Sequence, residues 1–315
     1  MGHEGDFMKK SGMHVLALMF AALALSACGA DPDPAATSAA PSRVTLVARG
    51  GFQTPTDAVA SPDGATFYFT ARTDAGLPAV FRVASTPGSQ AAAIATGAPL
   101  VAPTGLVLSC DGATLYVAGG GAAPILSMPA SGGALRPVEV TNVGRVAGLA
   151  IGPDCASLYA TGRTTDDRPA LFKVDRGGGV ARIVYAGAPL ILPDGIFVDS
   201  LSVAWVMDQI AESPTSSGVL YAVPADGHNA SVVVRDIRTL GLRGGVSLTS
   251  SGGTAVLGTL AASGGAQLTT IELATGHRTE VPAPQMIGPA GLRTARGAAV
   301  IAVADATGNA IFRAE

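Results

Sequence analysis

The sequence predicts an all-β fold built from six repeats of one four-stranded unit. Of the 315 residues, 41 are Gly and 21 are Pro, and because both break the interior of helices, long helices are disfavoured. One phrase recurs along the chain: a short apolar strand, a tight turn and a second apolar strand. Its copies are 43 to 50 residues apart, which is the length of one propeller blade. We therefore predict a six-bladed β-propeller.

The repeated phrase is clearest in the first half of the chain. It reads PTDAVASPDGATFYFTA from Pro55, PTGLVLSCDGATLYVAG from Pro103 and VAGLAIGPDCASLYATG from Val146. Weaker copies begin at Pro193, Arg243 and Pro289. The third residues of the copies, which define a common register, are Asp57, Gly105, Gly148, Gly195, Gly245 and Gly291. A two-domain β-sandwich also has short strands at regular spacing, but it does not account for six copies in one phase.

The second half of each unit predicts two further strands. VFRVASTPGS and LFKVDRGGG place a third strand before a Gly-containing turn, and RIVYA from Arg182 and SVVVRD from Ser231 follow as fourth strands. Each blade is thus predicted to have four antiparallel strands joined by hairpins. The last unit lacks a fourth strand, and residues 43–48, RVTLVA, supply one. We expect this N-terminal strand to close the last blade, because closure removes free sheet edges.

Residues 1–27 predict a secretory signal peptide. Lys9 and Lys10 precede an apolar run of 13 residues, 15–27, which is shorter than the ~20 residues of a membrane-spanning helix. Charged residues, an apolar run and then small residues are the order found in signal peptides. Met8 stands directly before the two lysines, so translation starting at Met1 or at Met8 gives the same signal.

The end of this segment, LSAC at residues 25–28, resembles the lipobox of bacterial lipoproteins. In that family the cysteine is lipid-modified and becomes the new N-terminus. The resemblance, with Gly29 after Cys28, implies an outer-membrane lipoprotein that faces the periplasm or the cell exterior. Residues 28–42 are then the lipidated cysteine and a flexible tether without bulky apolar side chains, and residues 43–315 form the propeller. An ordinary signal peptide with a chance cysteine is the alternative.

The blades resemble the six-bladed propellers of the NHL-repeat, SMP-30/gluconolactonase-like and TolB-like groups. The resemblance rests on SPDGATFY and SCDGATLY, on LPDG at 192–195, and on the AD and GNAIF phrases within 304–312. It covers nearly all of residues 43–315. Because these motifs describe turns and strands, the resemblance implies a fold far more than an activity.

The sequence contains no recognisable catalytic constellation. It has no G-x-S-x-G, H-E-x-x-H or P-loop motif, and His228 and His277 lie in equivalent hairpin turns. SMP-30-like hydrolases hold a metal with Glu, Asn and Asp residues, and no matching set exists in this chain. We therefore expect no catalytic, cofactor-binding or metal-binding residues. A metal-dependent lactonase or hydrolase with a divalent ion such as calcium is the alternative.

Charged residues at the ends of inner strands are the candidate ligand contacts. Only 14% of the residues are charged, about half of the usual share, so charge near a central channel is conspicuous. The candidates are Asp57, Arg145, Asp194, Asp208, Arg243, Arg293 and Asp305. They either bind a polar ligand at the channel mouth or cap strands and pair with one another. Loops 72–78 and 211–218 are candidate binding loops, whereas Phe197 and Trp205 are expected in the core between blades.

Cys110 and Cys155 are a candidate disulfide. With Cys28 lipidated they are the remaining two of three cysteines, an even number in an oxidising compartment. They lie in the first hairpin turns of neighbouring units. Packed sheets lie about 10 Å apart and bridged Cα atoms within about 7 Å, so a bond requires the turn tips to approach. Two unpaired cysteines are the alternative.

Together these features predict a non-enzymatic, lipid-anchored propeller of the cell envelope. We expect it to be a monomer that binds a protein, a glycan or a small polar ligand at its channel mouth. A net charge of −3 and a pI near 5.8 give no general attraction for nucleic acid. Besides the hydrolase, the remaining alternative is an envelope-assembly scaffold of the kind that TolB-like propellers provide.

Overall fold

A computed structural model of the chain describes residues 40–119, 121–212, 217–240 and 243–315. The predicted signal peptide, Cys28 and the tether as far as residue 39 lie outside the described residues. None of the described segments is a helix of the length and hydrophobicity needed to cross a membrane. The described residues form six four-stranded antiparallel sheets, which confirms the predicted six-bladed β-propeller.

The strands follow the order of the repeats. The first strand of the chain is β1 (Val44–Arg49). Blade 1 contains β2 (Gln53–Ala60), β3 (Thr66–Arg72), β4 (Pro78–Ala84) and β5 (Ala92–Thr96). Blade 2 contains β6 (Leu106–Leu108), β7 (Thr114–Ala118), β8 (Ile125–Pro129) and β9 (Arg136–Val138). Blade 3 contains β11 (Arg145–Ile151), β12 (Ser157–Arg163), β13 (Pro169–Asp175) and β15 (Arg182–Ala186), and the short strands β10 (Val140–Thr141) and β14 (Gly179–Val180) pair beside it.

The second half of the ring repeats this arrangement. Blade 4 contains β16 (Pro193–Val198), β17 (Ala204–Glu212), β18 (Ser217–Val223) and β19 (Ser231–Ile237). Blade 5 contains β20 (Val246–Leu248), β21 (Thr254–Leu260), β22 (Ala266–Glu272) and β23 (Arg278–Pro282). Blade 6 contains β24 (Pro289–Thr294), β25 (Ile301–Asp305) and β26 (Ala310–Ala314), with β1 as its fourth strand.

The pairing of β1 with β26 joins the two ends of the described chain. Val44 lies opposite Ala314 and Leu46 opposite Phe312. Val47 is fully buried in the core between blades 6 and 1, so the closing strand contributes packing as well as hydrogen bonds. The predicted closure of the last blade by the N-terminal strand is therefore confirmed.

The hydrophobic core is divided into layers between neighbouring blades. Between blades 6 and 1, Phe69 stacks on Phe81 with ring centroids 5.1 Å apart, and Phe52 meets Phe69 edge-on at 4.7 Å. Phe197 and Trp205 pack, partly buried, against the layer between blades 4 and 5, as the sequence predicted. Because neighbouring blades cover both faces of each sheet, the second strands β3, β12 and β21 are buried on both faces.

The ring has two distinct faces. The turn face carries the tight turns from first to second and from third to fourth strands. The crossover face carries the connections between blades and the loops from second to third strands. Fourth strands run from the turn face to the crossover face, so β1 begins at the turn face, where the backbone N–H groups of Ser42 and Arg43 donate to the Glu315 carbonyl at 2.9 and 3.0 Å. The described chain therefore starts at the turn face.

Candidate functional site

The narrowest part of the channel is lined by the third residue of each repeat. A Cβ atom at Gly105 would lie 2.6 Å from the carbonyl oxygen of Ala147 in the next blade. Cβ atoms at Gly195 and Gly245 would likewise overlap backbone atoms of the following blade. At five of the six positions only a residue without a side chain allows the inner strands to approach this closely.

The sixth position holds Asp57, a buried carboxylate. Its Oδ1 accepts the N–H of Ala58 at 2.9 Å, and its Oδ2 accepts the N–H of Leu106 in blade 2 at 2.8 Å. Nη2 of Arg293 in blade 6 lies 3.6 Å from the same Oδ2, and Nη1 of Arg293 donates to the Ile196 carbonyl in blade 4 at 3.0 Å. Arg293 thus lies across the channel and connects blades 1, 4 and 6.

A second ion pair lies on the opposite side of the channel. Nη1 of Arg243 is 3.2 Å from Oδ1 of Asp194, and Nε2 of Gln209 donates to Oδ2 of the same carboxylate at 2.9 Å. The Arg243 side chain keeps 34% of its surface exposed, whereas Asp194 is buried. This pair joins the start of blade 5 to blade 4.

Asp208 and Asp305 hold the connections between blades. Asp208 accepts the N–H groups of Ile191 and Leu192 at 2.7 and 3.0 Å. Asp305, at the equivalent position of blade 6, accepts the N–H groups of Ile287 and Gly288, both at 2.8 Å. A fully buried carboxylate with such partners orders the segment that leads into the first strand of its own blade.

The seven candidate contacts therefore separate into three groups. Asp57, Arg293, Asp194 and Arg243 lie together in the channel and pair with one another, and Asp208 and Asp305 bind backbone. Arg145 is exposed at the start of β11 on the crossover face. The interpretation that these residues cap strands and pair with one another describes six of them.

Burial raises the pKa of Asp57 to about 6. Loss of hydration is the largest cause, and the positive charge of Arg293 and the N–H groups of Leu106 and Ala58 oppose it only in part. Burial also raises the pKa of Asp194, against the charge of Arg243. The two carboxylates repel each other as well, so the channel disfavours the ionised form of Asp57.

A wider cavity opens at the turn face, beyond Arg293. It has a volume of about 410 Å³ and is lined by the ends of all six first strands and the turns that follow them. Its wall includes Val59, Ile151, Phe197 and Leu248, with Arg293 at its inner end and Arg296 at its rim. Sequence reasoning did not identify this cavity. One sequence feature could have indicated it: the turns after β16, β20 and β24 lack the Pro-Asp-Gly pattern of the turn after β2.

A disulfide between Cys110 and Cys155 stiffens one side of this cavity. The two Cα atoms are 5.7 Å apart, so the turn tips of blades 2 and 3 approach as a bond requires. The same two turns contribute Ser109 and Pro153 to the cavity wall. The two cysteines are 45 positions apart in the sequence, and their bond covalently joins neighbouring blades.

The described residues contain no group of three or more His, Cys, Asp or Glu side chains that could hold a metal ion. His228 and His277 lie in turns after third strands, and the backbone N–H of each is held by the side chain of a residue two positions earlier, Asp226 and Thr275. The structure thus places both histidines at equivalent positions of blades 4 and 5, as the repeat predicted.

The raised pKa of Asp57 gives a pH dependence of stability with a defined sign. A carboxylate whose pKa is higher in the folded state binds a proton more readily there, so its contribution is full below about pH 4 and is lost as the pH rises through 6. The unfolding free energy of the unmodified protein should fall relative to that of Asp57→Asn by roughly 2 to 3 kcal/mol between pH 4 and 7. Urea unfolding of both proteins across this range measures it.

Asp63→Asn is the matched control. Asp63 lies in an exposed turn, where the Ser61 hydroxyl lowers its pKa, so its contribution is lost as the pH falls and the difference should have the opposite sign. An Asp57 carboxyl that titrates near pH 4 in carbon NMR would contradict the predicted burial effect.

No protein-family profile matches this sequence, and no curated protein is detectably similar to it. Solved structures do share the fold. A chain of a nidogen/laminin complex is 16% identical, with a TM-score of 0.61 over 79% of this chain and 88% of that one. A protein of unknown function from Bacteroides thetaiotaomicron is 13% identical, with a TM-score of 0.64 over 87% and 72%. TolB from Acinetobacter baumannii is 14% identical, with a TM-score of 0.54 over 72% and 55%. At these identities the similarity establishes the propeller fold alone.

Proposed function

We propose that this chain is a non-enzymatic propeller of the cell envelope, held to the outer membrane by a lipid on Cys28, that binds a protein partner through its crossover face. The observation that carries the proposal is the distribution of exposed apolar side chains. Of the nine large apolar side chains exposed among the described residues, six lie on or beside loops of the crossover face. These six are Leu77, Val101, Ile191, Ile210, Leu240 and Ile287.

These side chains are distributed around the ring on the crossover face. They come from the loops of blades 1 and 4 and from four of the connections between blades. Val101 is 56% exposed and Ile287 is 53% exposed, although both adjoin ordered backbone. Several exposed apolar side chains on one face favour a protein-binding site, because their burial against a partner releases water.

Arginine side chains complete this surface. Arg145 is exposed where blade 3 begins, and no described residue forms a hydrogen bond or ion pair with its side chain. Arg243 is partly exposed beside the channel mouth. Loops 72–78 and 211–218 both connect second to third strands and so lie on the crossover face, although residues 213–216 are outside the described part. Apolar residues with arginine are typical of interface centres.

The start of the described chain is compatible with this proposal. Ser42 and Arg43 lie at the turn face, beside Glu315, so the crossover face is the face farther from the point where the described chain begins. Of the solved structures with this fold, one is a complex of nidogen with laminin, so the fold is compatible with a protein partner.

Lipid attachment is tested by Cys28→Ser. Without the thiol no acyl chain can be added, and the protein should leave the membrane fraction almost completely. Ser38→Ala, in the same tether, is the control and should stay with the membrane. Fractionation of cells followed by immunoblotting measures both. A Cys28→Ser protein that remains in the membrane fraction would show that the lipobox interpretation is wrong.

The partner surface is tested by photo-crosslinking in the producing cells. A benzophenone amino acid at Val101 or Ile287 should give one discrete adduct, and Arg145→Glu should lower its yield about tenfold, because a charge reversal in an interface costs more than one kcal/mol. The control position is Leu201, which is 82% exposed on the turn face and should give no adduct. An equal adduct from Leu201, or none from either crossover position, would refute the proposed surface.

A further inference from the structure

The cavity of the turn face has the size and the apolar wall of a small-molecule site. Its volume of about 410 Å³ falls within the range of about 300 to 1,000 Å³ found for ligand pockets. Val59, Val107, Ile151 and Leu248 are buried in its wall, and the ring of Phe197 is partly exposed to it. An apolar body of one or two rings, or a short alkyl chain, fits such a space.

The inner end of the cavity carries a buried positive charge. Arg293 is only 8% exposed, and the nearest acidic group, Oδ2 of Asp57, is 3.6 Å from its Nη2. Its Nε is buried and has no hydrogen-bond acceptor among the described residues. A buried N–H without an acceptor costs free energy, so the protein alone does not fully satisfy the Arg293 guanidinium.

The rim carries a second cation of the same segment. Arg296 follows Arg293 by three residues, is exposed, and forms no ion pair or hydrogen bond with the residues that the structure describes. Although the side chain is exposed, the protein atoms around it lower the pKa of Arg296 by partial desolvation, and the guanidinium remains charged. Two arginines therefore face one apolar cavity from its inner end and its rim.

The acidic residue of the wall, Asp199, forms no ion pair with either arginine among the described residues. Oδ1 of Asp199 accepts the N–H groups of Leu201 and Val203, each at 2.9 Å, and its Oδ2 accepts Nε1–H of Trp205 at 3.0 Å. Asp199 therefore accepts its hydrogen bonds from its own turn and from the strand that follows it. Ser200 and Ser250, both exposed at the rim, add hydroxyl groups that can donate to an anion.

We propose that this cavity binds a small amphipathic organic anion, whose apolar body lies against Phe197 and Leu248 and whose carboxylate, sulfonate or phosphate lies between Arg293 and Arg296. The site is at the mouth opposite the crossover face, so it is independent of the proposed protein partner. The Cys110–Cys155 disulfide fixes part of its wall, which limits the conformational entropy lost on binding.

The test uses a matched pair of fluorescent probes on the purified, disulfide-bonded domain. 1-Anilinonaphthalene-8-sulfonate carries the anion, and N-phenyl-1-naphthylamine has the same rings without it. The anionic probe should bind with one site per chain and at least about tenfold more tightly, which is the effect of one charge-assisted hydrogen bond. Arg296→Gln should lower the affinity for the anionic probe about tenfold and leave the affinity for the neutral probe unchanged.

Arg136→Gln is the control, because it makes the same substitution at an exposed arginine on β9, the outermost strand of blade 2, and should leave both probes unaffected. Equal melting temperatures would show that the variants are folded. Equal affinity for the two probes, or an Arg296→Gln protein that binds the anionic probe as tightly as the original, would overturn the proposal. Because the photo-crosslinks report the crossover face, either proposal can fail without the other.

Competition against the bound anionic probe identifies the source of the ligand. Displacement by decanoate but not by 1-decanol would indicate a lipid-derived aliphatic acid. Displacement by 1-naphthoate but not by 1-naphthalenemethanol would indicate a water-soluble aromatic acid. Both results support an organic-anion site, and displacement by neither acid would contradict it.

Discussion

The close approach of six inner strands around the channel is the constraint on which the rest of this structure depends. At Gly105, Gly148, Gly195, Gly245 and Gly291 a Cβ atom would overlap the following blade. The absence of side chains lets neighbouring blades meet at backbone distance, and this contact sets the spacing at which the apolar layers between blades pack. The repeated glycine of the sequence is therefore a packing requirement.

Asp57 stands where the sixth glycine would be, and this one difference organises the polar interior. Its carboxylate binds blade 2 through Leu106 and faces Arg293 of blade 6. The arginine in turn reaches blade 4 and separates the narrow channel from the cavity of the turn face. The two mouths consequently differ: the crossover face presents exposed apolar side chains and Arg145, whereas the turn face presents a cavity with two arginines.

Much of the fold was predictable because it is encoded locally and then repeated. The six copies predicted the six blades, and the absence of a last strand predicted the closure by residues 43–48. The equivalent turns of neighbouring blades predicted that Cys110 lies beside Cys155.

The candidate site was predictable only in part. The sequence identified charges near the channel, but it did not distinguish pairing from ligand binding, because pairing depends on contacts across the ring such as that of Arg293 with Ile196. The cavity was missed for the same reason, since its wall draws residues from all six repeats.

The most direct test of this account is the unfolding free energy of Gly195→Ala compared with Gly253→Ala. A Cβ at Gly195 would overlap the Gly244 carbonyl, whereas a Cβ at Gly253 meets no atom within 4 Å. If the contact between inner strands limits the assembly of the ring, Gly195→Ala should lose about 3 kcal/mol or more, and Gly253→Ala should change stability by less than about 0.5 kcal/mol. Equal effects of the two substitutions in urea unfolding would contradict the account.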